Sequence, residues 1–140
     1  MMILACVGVV AAGVSSSAQS VEHEQLVTVN GPTIVAFFPP VSQRELQDNP
    51  DTNEVLSDFQ LYTGQASEPL RKAGITFEQL YTRSFRVKVE KSVSRFVPAQ
   101  PGIGYYLVAP GKKPRVVYGV TTDADLVSQA NEYFGPPAAK

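Results

Sequence analysis

The sequence predicts a single α/β domain built around a central mixed sheet, and three observations support that class. Residues 33–38 form a β-branched and aromatic run that ends at two prolines, as expected for a buried strand. A long amphipathic stretch follows, which suits a helix that crosses over the sheet. Near the C-terminus, two apolar runs flank residues 109–113 and predict a β-hairpin followed by a capped helix. A chain of 140 residues is long enough for one core.

The long helix is predicted to begin at Asp51 or Thr52, either of which can cap it, after the polar segment 42–50. Apolar side chains recur there every three or four residues and predict one buried stripe. The stripe consists of Val55, Phe59, Tyr62 and Ala66. Pro69 is expected to kink or restart the helix, and Gly74 to end it.

Shorter patterns predict the middle strands. Residues 75–81 are strand-like, with Phe77 and Leu80 as expected core residues. Apolar and charged residues alternate over 85–89, which predicts a strand with one face in solvent. A turn then leads to another expected strand at 93–97.

The C-terminal third has the clearest pattern. A hairpin is predicted to join residues 104–108 to 115–120. A helix is predicted to start at a cap within 121–123 and to end at Gly135. Its apolar face consists of Leu126, Val127, Ala130, Tyr133 and Phe134.

The first 20 residues carry no charged side chain and end in small residues, which predicts a signal peptide with cleavage after Ala18 or, second, after Ser20. The apolar run is shorter than the roughly 20 residues that span a bilayer, so we expect no transmembrane anchor. Two alternatives stay open for this segment, namely lipidation at Cys6 and a buried helix of the domain. The expected product is exported, either periplasmic or secreted.

The resulting division is a signal peptide at 1–20, an N-terminal arm at 21–30, a folded domain at 31–135 and a disordered tail at 136–140. His23 lies on the arm between two glutamates, and neighbours along a chain point in different directions, so we expect a solvated arm and no metal site. No Gly-rich phosphate loop occurs, and we expect no cofactor.

Composition excludes several function classes. With 44% apolar residues, 18% charged residues and a net charge of -1, the chain is neither disordered nor a uniformly basic nucleic-acid binder. Cys6 is the only cysteine, so the body of the chain offers no thiol for catalysis and forms no internal disulfide.

The order of elements resembles the thioredoxin-like fold superfamily over about residues 33–134. The segment Gly104-Tyr105-Tyr106-Leu107-Val108-Ala109-Pro110-Gly111, then residues 116–119 and 122–126, carry the resemblance, since they look like the family's closing hairpin and final helix. It implies a three-layer sandwich with a central mixed sheet, a closing β-hairpin and a C-terminal helix.

The same resemblance implies where a functional site lies. Residues 38–45 stand where redox members of the family carry Cys-x-x-Cys, so we expect neither thiol-disulfide oxidoreductase nor peroxidase activity. The family's cis-proline aligns near Ile103, or at Pro101 if the loop slides. One of Tyr105 and Tyr106 is expected in the core and the other at the groove.

The leading functional hypothesis is therefore a non-redox module that binds a peptide or protein. The expected binding residues are Pro39, Pro40, Ser42, Arg44, Pro101, Ile103 and Tyr105. An alternative from the enzyme class is a cysteine-independent activity at the same cleft, with Arg44, Glu45 or Tyr105 as acid, base or anion clamp.

Charge is distributed unevenly and supports another alternative. Residues 21–70 hold eight acidic residues against Arg44, whereas residues 71–115 hold ten basic residues against Glu78 and Glu90. A positive face for an anionic envelope surface or ligand, rather than for nucleic acid, is one interpretation, and scattered solvating cations on strand edges are the other. The candidate face consists of Arg83, Arg86, Lys88, Lys91, Arg95, Lys112, Lys113 and Arg115.

Overall fold

Two β-sheets and a layer of helices form the domain in the computed structural model, which describes residues 24–135. The elements in chain order are β1 (Leu26–Val29), β2 (Thr33–Phe38), α1 (Gln43–Asp48), α2 (Pro50–Lys72), β3 (Thr76–Tyr81), β4 (Phe85–Val89), β5 (Ser92–Phe96), β6 (Gly104–Val108), β7 (Arg115–Tyr118) and α3 (Asp123–Phe134). The predicted α/β class is confirmed. The expected signal peptide, His23 and the expected tail lie outside the described residues.

The central sheet has the strand order β3-β2-β6-β7 and is mixed, as predicted. Strand β2 runs parallel to β3, antiparallel to β6, and β6 runs antiparallel to β7. Helix α2 makes the crossover that a parallel pair requires. Every residue of β2 and of β6 is buried, because both faces of these central strands are covered.

Helices α2 and α3 cover one face of this sheet. Strand residues such as Phe38 and Leu107 form one core with the helices. The buried side chains of the helices are Phe59, Thr63, Ala66 and Leu70 from α2 and Leu126, Ala130 and Tyr133 from α3. The expected stripe was therefore right at Phe59 and Ala66, whereas Tyr62 is half-buried and Val55 is exposed beyond the edge of the sheet.

The cap of the long helix lies two or three residues before the predicted caps Asp51 and Thr52. Asn49 caps α2, because its side chain accepts a hydrogen bond from the Thr52 amide, and Pro50 occupies the first helical position, where its missing N–H has no partner to lose. The preceding polar segment is itself helical as α1. Pro69 does not restart α2, since it lies in the last turn and its carbonyl accepts from the Ala73 amide at 3.1 Å.

A second sheet covers the other face of the central sheet, with the order β1-β4-β5. The strand predicted from alternation at residues 85–89 and the strand predicted after the turn at 93–97 are present as β4 and β5. Strand β1 lies within the segment expected to be a free arm, and Val27 and Val29 are buried between the sheets. The fold therefore begins before residue 31, because these valines need the cover that the central sheet provides.

Aromatic rings fill the space between the two sheets. The Phe37 ring centroid lies 6.2 Å from that of Phe85, 5.4 Å from that of Phe96 and 6.2 Å from that of Tyr118. The Phe96 and Tyr106 rings are 4.7 Å apart. Tilted and edge-on contacts of this kind add to the apolar burial that holds two sheets together.

Candidate functional site

A cleft of about 340 Å³ opens where the parallel strands β2 and β3 end. Crevices beyond the carboxyl ends of parallel strands are a common place for ligands in open α/β sheets. The lining residues are Phe38, Pro39, Pro40, Val41, Glu45, Asp51, Thr52, Val55, Arg83, Pro101 and Ile103.

Four separate segments bring these side chains together. Strand β2 ends at Pro39 and Pro40, which lack the N–H groups that would continue the ladder. Helix caps position the next lining residues, since the Ser42 hydroxyl accepts from the Glu45 amide at 3.0 Å. Arg83 follows β3, and the loop before β6 contributes the remaining wall.

Pro101 and Ile103 form the wall that the loop before β6 contributes. The Gln100–Pro101 peptide bond is cis. The Ile103 carbonyl accepts a hydrogen bond from the Gly119 amide at 2.8 Å, which ties this loop to the end of β7. Both residues line the same cleft as the two prolines that follow β2.

Four of the seven residues expected to bind a peptide meet at this cleft, together with Arg83 of the candidate basic face. Pro39, Pro40, Arg83, Pro101 and Ile103 line it. Ser42 is outside the lining and caps α1, where its hydroxyl is already engaged. Arg44 is also outside, because it is solvent-exposed on α1 and pairs with Asp48 at 3.7 Å.

Tyr105 is not a cleft residue, which corrects the expectation for β6. Its side chain is fully buried under α2, its hydroxyl lies 2.9 Å from the Thr63 hydroxyl, and its ring stacks on Phe59. Burial raises the pKa of the Tyr105 hydroxyl above its usual value of 10.0. Tyr106 is buried on the opposite face, so neither tyrosine contacts a ligand in the cleft, and Tyr105 cannot act there as an acid or base.

The sequence prediction missed part of the cleft wall. Asp51, Thr52 and Val55 line it from the first turns of α2. The sequence pattern predicts a cap at Asp51 or Thr52 and the start of the buried stripe at Val55. A signal was present in the predicted βαβ order, because the first turn of a crossover helix begins at the edge where the preceding strand ends.

The candidate basic residues do not form one face. Lys112 and Arg115 lie 4.7 Å and 5.6 Å from the Tyr133 ring centroid, and Lys112 donates to the Tyr133 carbonyl. They therefore hold the hairpin against the C-terminal end of α3, where cations are favoured. Arg83 is at the cleft, whereas Arg86 and Lys88 point outward from β4.

The cleft lining carries more negative than positive side chains. Two carboxylates, Glu45 and Asp51, face one guanidinium, that of Arg83. The rest of the lining is apolar apart from the Thr52 hydroxyl. This combination offers an apolar contact area of fixed shape with a few charges that orient a ligand.

Neither the known family models nor the curated proteins match this chain. Among residues 24–135, no three His, Cys, Asp or Glu side chains come together as a metal site would require. No helix in the same part of the chain is long and apolar enough to cross a membrane.

Proposed function

We propose that this protein is an exported, non-redox thioredoxin-like module that holds an extended peptide segment in the cleft between Pro39-Pro40 and Pro101. The observation that carries the proposal is this cleft at the edge of the central sheet, whose apolar lining consists of three prolines, a phenylalanine and aliphatic side chains. Export is supported by the uncharged apolar segment at residues 1–20.

The arrangement of elements supports the thioredoxin-like part of the proposal. Strand β2, helix α2, strand β3, the hairpin β6-β7 and helix α3 follow one another as the resemblance implies, and all four strands share one sheet. The departure is the layer on the other face, which is the sheet β1-β4-β5. That layer leaves the cleft open, since none of its residues lines it.

The lining chemistry favours binding over catalysis. Cys6 and His23 are the only cysteine and histidine in the sequence, and the lining formed by the described residues contains neither residue type. Pro39 and Pro40 have no backbone N–H to offer and present rigid apolar surface, so affinity comes from burying an apolar side chain. The two rim carboxylates favour a segment that carries a basic residue beside that apolar one.

A peptide-display selection against the full-length protein tests the proposal. We expect enrichment of peptides with an apolar residue next to a basic one, and amide chemical-shift changes at Val41, Val55 and Ile103 when a selected peptide is added. Val55→Glu introduces a charge into the cleft wall, where Val55 is 36% exposed, and is expected to weaken binding at least roughly tenfold.

The matched control is Leu61→Glu, on a more exposed position of the same helix, 53% exposed and outside the cleft lining. It should bind selected peptides as the wild type does. The proposal is wrong if no peptide is enriched, or if V55E and L61E bind equally well. Turnover of a disulfide or peroxide substrate by the purified protein also contradicts it.

A further inference from the structure

The outward side of the second sheet is open to solvent and combines cations with apolar side chains. Strand alternation turns Val27, Val29, Phe85 and Val87 inward, which leaves the intervening residues outside. Pairing register brings those residues together, since Arg86 lies beside Leu26 and Arg95, and Lys88 lies beside Thr28 and Val93. We call these six residues the outer face.

Two cations of the outer face are available to a ligand. Arg95 is engaged by the Glu24 carboxylate, with 2.8 Å between Arg95 Nε and Glu24 Oε2. Arg86 and Lys88 are exposed, and no ion pair among residues 24–135 includes either of them. Arg86 Nη2 donates one hydrogen bond, to the Glu24 main-chain carbonyl at 3.3 Å. Both lie on β4, the middle strand, so their charges stand at the centre of the face.

Apolar side chains stand beside these cations. Leu26 is 44% exposed and Val93 is 52% exposed, one on each side of β4. A flat surface that alternates cations with exposed aliphatic groups matches the boundary between lipid headgroups and acyl chains, where both kinds of group find partners.

The helices on the far side of the domain are acidic, and this charge separation favours an orientation in which the outer face points toward an anionic surface. The three helices, on the opposite side of the central sheet, carry nine acidic residues against three basic ones. A domain with this charge separation turns its basic side toward an anionic surface although its net charge is close to zero.

The N-terminal segment leaves the domain at this same face. Glu24, the first described residue, is held there by the Ser84 hydroxyl and by Arg95. Arg86 Nη2 also donates to the Glu24 main-chain carbonyl, so the start of the described chain lies at the outer face rather than at the cleft or the helices.

From these observations we infer that the outer face docks on bilayers that contain anionic phospholipid, separately from peptide binding at the cleft. The occupant is the headgroup surface, with Arg86 and Lys88 at the phosphates and with Leu26 and Val93 at the apolar boundary. Each basic residue near such a surface is expected to strengthen binding by roughly fivefold.

Tryptophan fluorescence locates the contact, because the sequence contains no tryptophan. Val93→Trp places a reporter on the outer face, and Leu61→Trp places one on the exposed side of α2. The full-length variants are titrated with vesicles of phosphatidylcholine alone or with 30% phosphatidylglycerol. We expect an emission blue shift for V93W with the anionic vesicles only, and none for L61W.

Charge removal provides the second arm of the test. In the V93W background, Arg86→Gln with Lys88→Gln is expected to weaken vesicle binding roughly 25-fold. Arg44→Gln with Lys72→Gln removes the same charge from the helices and should change binding less than about twofold. Raising the salt to about 0.5 M should abolish the blue shift, because exposed charges are then screened.

Several results would overturn the inference. An equal shift with neutral vesicles assigns binding to the apolar N-terminal run. If the two double substitutions weaken vesicle binding equally, the outer face has no specific role in that binding. A V93W shift that depends on protein concentration without vesicles assigns the face to a second copy of the chain. Peptide binding at the cleft is measured on the same variants and should stay unchanged in R86Q/K88Q.

Discussion

The hydroxyl groups of Thr63 and Tyr105 lie 2.9 Å apart in the core between α2 and the central sheet. Both residues are almost completely buried, so each hydroxyl depends on the other as its partner. The pair anchors the middle of the crossover helix to the central strand β6. It also explains why Tyr105 serves the core and not the cleft.

A double-mutant cycle tests this pair. We expect Tyr105→Phe and Thr63→Val each to lower the free energy of unfolding by about 1–2 kcal/mol, because each leaves a buried hydroxyl without its partner. The double variant should lose less than the sum of the two, as measured by urea unfolding. Strict additivity would contradict the pairing. Peptide affinity of Y105F should equal that of the wild type.

Glu24 makes stability depend on pH. The Ser84 hydroxyl, together with Arg95, lowers the pKa of the Glu24 carboxyl below its usual value of 4.5, although partial burial acts in the opposite direction. Because the pKa is lower in the folded state, the stabilisation is complete above pH 4.5 and is lost as the pH falls through the folded-state pKa.

We therefore expect Glu24→Gln to lower the free energy of unfolding at pH 7 by about 1 kcal/mol or less, since Arg95 is partly exposed. The difference from wild type should shrink in acid. Asp48→Asn, in a pair exposed on both sides, is the control and should change stability by less than about 0.5 kcal/mol. Unfolding curves at several pH values measure both, and a difference for E24Q that grows in acid would contradict the assignment.

Gly104 is required by a close approach of two strands. A Cβ at this position would overlap the Val117 carbonyl oxygen and lie 2.9 Å from Tyr118 Cα, both of which are backbone atoms that cannot rotate away. We expect Gly104→Ala to lower the free energy of unfolding by more than about 2 kcal/mol, or to prevent folding.

Gly64 offers the matched substitution. Nothing lies within 4 Å of a Cβ there, and the residue is exposed within α2. Gly64→Ala should raise stability by up to about 1 kcal/mol, because alanine loses less backbone entropy in a helix. Thermal unfolding compares the two, and equal stability of G104A and wild type would rule out the close approach.

The inclusion of residues 26–29 in the fold is tested at two neighbouring positions. Val27 is 2% exposed between the sheets, whereas Leu26 points outward. We expect Val27→Asp to destabilise the protein by at least about 3 kcal/mol, since the carboxylate has no partner there, and Leu26→Asp to change stability by less than about 0.5 kcal/mol. If V27D and L26D are equally stable, residues 26–29 do not form part of the folded core.

Part of the cleft could be predicted from the sequence. Prolines at 39–40 and 101 interrupt strand patterns, and the resemblance brought the two segments together although they are far apart in the chain. The α2 wall was missed because Asn49, Asp51 and Thr52 are all competent caps. With Asn49 as the cap, Asp51 and Thr52 become residues of the first turn, and both line the cleft.

Local pattern alone determined the strands at residues 33–38 and 85–89, the hairpin and the last helix. Each of these stretches is long enough for a continuous apolar run, an alternation or a repeat of three to four residues to identify a strand or a helix. Strand β1 has only four residues, too few for alternation to stand out. Its burial depends on a sheet formed by residues distant in sequence.

The burial of both Tyr105 and Tyr106 was likewise decided by tertiary structure. A strand shows from its sequence that successive side chains point to opposite faces, but not that both faces are covered. Coverage depends on the position of β6 in the middle of the sheet, between the helices and a second sheet. The division of the basic residues among cleft, hairpin and outer face arose in the same way, since only folding decides which distant charges become neighbours.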